Sequence, residues 1–288
     1  MEEEAKDPSK EITPIDGVIL TDKEKAVLEQ ITGGNWKKYG RVAMAALGGL
    51  PWVGSVLSAA ATLSSENEQG KTNHLLFLWV QEHEEKLRNL VEDLKRIFAR
   101  LETFGDSIEE RIRSVEYIDL MRKTFRVWDA SDTEEKREKL RKLITSAAAT
   151  QIVSDDIVRL FIELIGRFHE LHFRIIREVY LNPGITKYEL AEILFGTIPR
   201  DDSAQADLFK FLMHELNMAD IVRGERETDF SGRFVRRTRP KKTPGSTPST
   251  TYDSPFDTKK GQVLTELGKQ FVHYAERDLD AQLEATAQ

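Results

Sequence analysis

The chain has 288 residues, 32% of them charged, a net charge of −7 and no cysteine. That length suffices for two domains with a sizeable core, and the lack of cysteine excludes a disulfide framework, a thiolate zinc site and a cysteine nucleophile. Net acidity excludes a protein that coats nucleic acid over its whole surface. An acidic start (Glu2, Glu3, Glu4, Asp7) without an apolar core segment predicts no secretory signal. The expected location is the cytoplasm, with peripheral attachment to the inner membrane as the alternative.

Residues 1–20 read as a disordered leader, interrupted by Pro8 and Pro14, whose later apolar residues could dock loosely. Thr21-Asp-Lys-Glu24 has the spacing of a capping box, and Gly33-Gly34 stop the helix it opens. Next comes Val42–Leu63, a run of 22 residues without a charge. Trp36, Lys37, Lys38, Tyr39 and Arg41 lie at its edge in the manner of interfacial anchors. A continuous helix of this length would reach ~33 Å, enough to cross a bilayer core. Pro51, behind Gly48 and Gly49, splits the run into halves too short to span. The local reading is an apolar hairpin over 41–63, with arms Arg41–Leu47 and Val53–Leu63 and a turn at Gly48–Pro51. Ala45, Ala46, Gly54 and Ser58 would let the arms pack closely. It is either buried in a soluble bundle or inserted into a membrane; a single span is the least consistent with Pro51. Trp36, Leu47, Leu50, Pro51, Trp52, Val53, Val56 and Leu57 are its candidate membrane or partner contacts.

The link after the hairpin contains Ser65-Glu-Asn-Glu-Gln-Gly70-Lys71-Thr72, which imitates a phosphate-binding loop. It lacks the first glycine and a preceding strand, and Glu66 and Glu68 would face phosphate. A helix N-terminus is the simpler reading. From Thr72 to Phe104, His83, Leu87, Leu90, Leu94, Ile97, Leu101 and Phe104 alternate spacings of three and four, the seam of a coiled coil. Asp93 is assigned with Glu84, Glu92 and Arg96 to the solvated face. The seam is expected to face the 157–179 helix or a second subunit. A helix after Gly105 would carry Ile108, Ile112, Val115, Ile118, Met121 and Phe125. Another, opened by Ser131 or Asp132, would bury Leu140, Leu143, Ile144, Ala147 and Ala148. Ile157–Tyr180 is apolar over more than half its circumference and reads as one inner helix. Residues 21–182 thus form a helical bundle that ends at Asn182-Pro183-Gly184.

Residues 183–288 differ in character. Ile185–Ala191 reads as a short capped helix, and Ala204–Asn217 as an amphipathic helix carrying Leu208, Phe209, Phe211, Leu212 and Leu216. Ala219–Val222 reads as an edge strand, 224–260 as a polar, flexible wing, and Gln262–Phe271 as a strand and final helix. This order, with Leu216, Asp220, Ile221 and Val222 before the wing and Leu264, Thr265, Leu267, Gly268 and Phe271 after it, resembles the winged-helix family over about a third of the chain. The resemblance implies a small α+β domain that binds DNA, proteins or its own kind. The bundle, through Gly49–Ser55 and Thr133-Glu-Glu-Lys-Arg137 with Leu140, is similar to a loose set of uncharacterised bacterial helical proteins, some suspected in phage defence. The expected fold is therefore an all-α bundle with an apolar hairpin, followed by a winged-helix domain.

Charge marks the wing. Residues 223–260 hold ten basic side chains against five acidic ones, a net +5 against −12 for the remainder. Arg233, Arg236, Arg237, Arg239, Lys241 and Lys242 are candidate contacts to nucleic acid or another anion. The helix that would read bases offers Asp207, Lys210, His214 and Glu215 but no arginine, so base reading is unsupported. His169 and His172 are one turn apart but form no H-E-x-x-H and have no evident third ligand. No G-x-S-x-G is present, and Glu109-Glu110 and Asp155-Asp156 fall where helix dipoles explain them. These observations predict a non-enzymatic effector or interaction protein without cofactor or metal, associating with itself or a protein partner through the bundle. A membrane is a further candidate partner through the hairpin. The alternative is a DNA-binding regulator whose bundle mediates assembly.

Overall fold

The computed structural model describes residues 32, 36–53, 55, 72–226, 231, 233, 254–256 and 260–276. The chain divides into two compact units, residues 1–166 and 167–288. Both are mostly helical, and the second holds a small antiparallel sheet. The expected leader, the 21–32 helix up to Ile31, the second hairpin arm beyond Ser55, the phosphate-loop imitation before Thr72 and most of the wing lie outside the described residues.

In the N-terminal unit, α1 (Trp36–Gly48) starts earlier than the expected arm. Tyr39 is therefore no interfacial anchor: it is buried and stacks on Phe98 at 4.9 Å between ring centroids. Val42, Ala43, Ala45 and Ala46 are buried as well. Gly49 N–H bonds back to Ala45 and Ala46, and the chain turns through Leu50 into the helical residues 51–53, with Pro51 at their start. A Cβ on Gly49 would lie 2.9 Å from the Arg122 carbonyl oxygen, so the turn needs glycine to approach its neighbour.

Helix α2 (Thr72–Glu102) buries Leu90, Leu94, Ile97 and Leu101 from the predicted seam. After a 3-10 turn at Gly105–Ile108 come α3 (Glu109–Arg113), α4 (Val115–Asp129), α5 (Glu134–Ala149) and α6 (Asp155–Arg167). The α2 seam packs mainly on α5 rather than on the part of the expected 157–179 helix that shares its unit, and α1 packs mainly on α4. The single helix expected after Gly105 is three pieces, because Ser114 is extended and caps α4 through Tyr117 N–H. This break changes the buried face: Val115 is exposed, while Tyr117, Leu120, Met121, Phe125 and Trp128 are core. Thr133, not Ser131 or Asp132, caps α5, whose predicted apolar positions are all buried.

The expected inner helix 157–180 is likewise two helices. α6 ends at Arg167, and α7 (Glu170–Leu181) begins after Phe168 and His169, where His169 is extended. Each has an exposed face, and α7 clusters with the C-terminal unit rather than with the bundle, so the division falls before the expected Asn182-Pro183-Gly184. There, β1 (Ile185–Thr186), α8 (Lys187–Phe195), α9 (Ala204–Met218), β2 (Val222–Gly224), β3 (Gly261–Leu264) and α10 (Glu266–Ala275) follow. Thr186 serves twice, pairing with Gly261 in the sheet and closing a capping box with Glu189 on α8. The strand order is β1-β3-β2, with Ile185 opposite Gln262 and Val222 opposite Leu264. Helices α7, α8, α9 and α10 pack around this sheet and one another.

Candidate functional site

The residues on either side of the 223–260 stretch meet in one clasp. Asp220 adopts a left-handed backbone, φ 53°, which ends α9 and lets Ile221 N–H bond back to Leu216 O at 3.1 Å. Thr265 N–H returns to Ile221 O at 3.0 Å, its hydroxyl donates to Asp220 O, and the same hydroxyl caps α10 through Gly268 N–H at 2.9 Å. A Cβ at Gly268 would sit 2.2 Å from Ile221 O, so only glycine admits this closeness. Phe271 is buried beyond it, and Leu267 is half-buried.

The clasp fixes the roll of α9. Its inner face is Ala206, Phe209, Leu212, Met213 and Leu216. Leu208 and Phe211, expected in the core, face outward instead: Leu208 is 39% exposed, Phe211 51% and Met218 71%. Asp207, Lys210 and His214 are exposed on the same helix. Helical spacing sets Phe211 and Met218 two turns apart along one stripe, with Asp207 beside them.

Glu215 edges this face and reaches His172 of α7. The His172 imidazole is fully buried, with Phe168 stacked on it at 4.9 Å. Its Nδ1 accepts the His169 backbone N–H at 3.0 Å, which assigns the ring proton to Nε2. Nε2 is 3.0 Å from Glu215 Oε2, yet its N–H is not aimed at that oxygen and makes no hydrogen bond. Burial lowers the His172 pKa below the ordinary imidazole value, against the opposing pull of Glu215.

In the N-terminal unit the hairpin turn is tied down. Trp52 Nε1 donates to Asp129 Oδ1 at 2.9 Å; Lys86 Nζ stands 2.5 Å from the same oxygen and 5.1 Å from the Trp52 ring. Leu50 and Val53 are buried, Leu47 and Trp52 half-buried, and Pro51 exposed. Trp36 is in α1, whereas Val56 and Leu57 lie outside the described residues. Asp93, assigned by sequence to the solvated face, is buried. It accepts from Trp128 Nε1 at 2.6 Å and pairs with Arg141 at 2.5 Å. Burial pushes its carboxyl above the usual range, and these two partners pull it back. Arg111 makes a second junction, bonding both Asp155 oxygens and the Ala147 carbonyl.

Of the basic wing candidates, Arg233 is exposed, while Arg236, Arg237, Arg239, Lys241 and Lys242 lie outside the described residues. The wing's return is anchored: Phe256 is buried against Phe209 at 5.5 Å, and Ser254 donates to Asp201 at 2.8 Å. Sequence reasoning missed both residues; one aromatic in a Pro-, Ser- and Thr-rich stretch was the available signal. Among the described residues, no three His, Asp or Glu side chains could hold a metal, and no helix is long and apolar enough to cross a membrane. Compared with known protein families, curated proteins and solved structures, the chain matches none at a significant level.

Proposed function

We propose that the chain is a non-enzymatic interaction protein whose C-terminal unit is a winged helix that docks a protein partner through α9. The carrying observation is the outward face of α9, with Leu208, Phe211 and Met218 exposed, Asp207 among them and no arginine on the helix. The element order and the strand order β1-β3-β2 support the fold reading, in which α9 takes the part of a winged helix's reading helix. The commonest specific base contact is a bidentate arginine or lysine on guanine; α9 carries no arginine and a single lysine, Lys210, beside the acidic Asp207. An exposed aromatic and methionine instead suit a desolvated protein contact, where such residues concentrate binding energy. In this reading the N-terminal helices are the body that α9 ties to its partner. The first hairpin arm supports packing rather than lipid: insertion would have to pull Val42, Ala43, Ala46 and Leu50 out of the core.

The regulator reading retains one observation, the net +5 of residues 223–260. A photoreactive side chain at position 211 or 218 of the full chain separates the two. A discrete protein adduct is expected at these sites and not at the exposed Arg177, together with no salt-sensitive binding to duplex DNA. DNA binding that weakens steeply with salt, is lost in the glutamine variant of Arg236, Arg237, Arg239, Lys241 and Lys242, and comes without an adduct at 211 or 218 would overturn the proposal.

A further inference from the structure

We infer that His172 is a proton-operated switch that exchanges the cap of α7 for an ion pair with Glu215 on α9. The geometry sets the two states against each other. In the neutral ring, Nδ1 holds the His169 backbone N–H at 3.0 Å and so closes the first turn of α7. That bond fixes the ring so that Nε2–H lies 3.0 Å from Glu215 Oε2 but off its axis. A proton taken from solvent by Nδ1 puts two donors, Nδ1–H and His169 N–H, face to face at a distance that only a donor and an acceptor tolerate. The cap must open. The imidazolium then carries a full charge in a site that water does not reach, with one carboxylate in range, so rotation toward Glu215 satisfies it.

The surroundings leave the ring few other choices. Glu215 from α9 and His169 at the start of its own helix are the ionisable groups that act on it. Phe168 covers one face, and Phe168 is itself packed edge-on against Phe173 and, from α10, Phe271. Burial keeps the neutral, capped state dominant at neutral pH, so the exchange belongs to acid conditions. Its output is mechanical: the first turn of α7 loosens while the helix bearing Phe211 and Met218 gains a charged anchor. This output rests on the docking role of α9; the switch itself does not.

The full chain tests it by two readings of the same titration. Nitrogen-15 shifts of the His172 ring should report protonation at Nδ1 below pH 6.5. Over the same range, exchange of the α7 first-turn amides, corrected for intrinsic rates, should rise at least several-fold. H172Q keeps an acceptor for His169 N–H and has nothing to protonate, so its exchange should stay flat. E215Q removes the attraction that favours the imidazolium, so its ring should titrate at lower pH than wild type. A His172 ring that titrates without any change in α7 exchange, or an E215Q midpoint that does not fall, would overturn the switch. Neither result would touch the docking proposal, which is read at positions 211 and 218.

Discussion

Asp93 ties three helices through one carboxylate, and removing it exposes how much depends on that group. In D93A, Trp128 loses the acceptor for its ring N–H, and the largely buried Arg141 keeps only the exposed Glu134. Stranding a buried charge costs about 3–5 kcal/mol, and Glu134 should hold the loss near the lower end. Urea denaturation should show it; D93N, which retains an acceptor for Trp128, should lose less. His172 gives the pH counterpart. Its folded pKa lies below the unfolded value near 6.5, so the folded state binds fewer protons across that interval. The stability it contributes is therefore complete above pH 6.5 and is lost as pH falls through the folded value. Thermal melts of wild type and H172Q should diverge in slope below pH 6.5 and run parallel above it.

At the scale of elements, the turn after α1 separates two adjacent glycines. A Cβ on Gly49 meets the Arg122 backbone, whereas one on Gly48 meets nothing within 4 Å. G49A should cost about 1–3 kcal/mol by overpacking. G48A, at the last position of a helix, should be neutral or stabilise by up to about 1 kcal/mol. Equal melting points for the two variants would show that α1 and α4 are not held together as described. What the sequence revealed of the elements follows the range of the forces involved. The apolar positions of α5, the buried run of the α2 seam and the cap of the short helix after Ile185 are local periodicities or spacings, and all three stand. The breaks at Ser114 and His169 were hidden because apolar residues continue on both sides of each. Asp93 followed Glu92 and read as solvated; its donor, Trp128, is distant in sequence, and no local pattern connects them. Leu208 and Phe211 read as core because periodicity shows an apolar helix but not which apolar residues the partner helices leave uncovered. Of the candidate membrane or partner contacts, Leu50 and Val53 are buried within the N-terminal unit, while the outward face of α9 came only from the fold.

For the whole molecule, the two units can be watched separately. All four tryptophans, Trp36, Trp52, Trp79 and Trp128, belong to the N-terminal unit. Intrinsic tryptophan fluorescence therefore reports that unit alone, while helical ellipticity reports both. If the units melt independently, the two signals should give different urea midpoints; coincident curves would mean that they unfold as one. The sheet sets a further order in time. β3 lies between β1 and β2 in space but follows both in the chain, so neither earlier strand has a partner until Gly261–Leu264 exist. Thr265 and Gly268, which secure Ile221, come later still. During synthesis, the N-terminal unit has all its residues long before the ribosome reaches this strand, and domains fold as units while the chain emerges. A nascent chain halted at Lys260 would carry a first unit able to finish folding and a second whose sheet cannot begin.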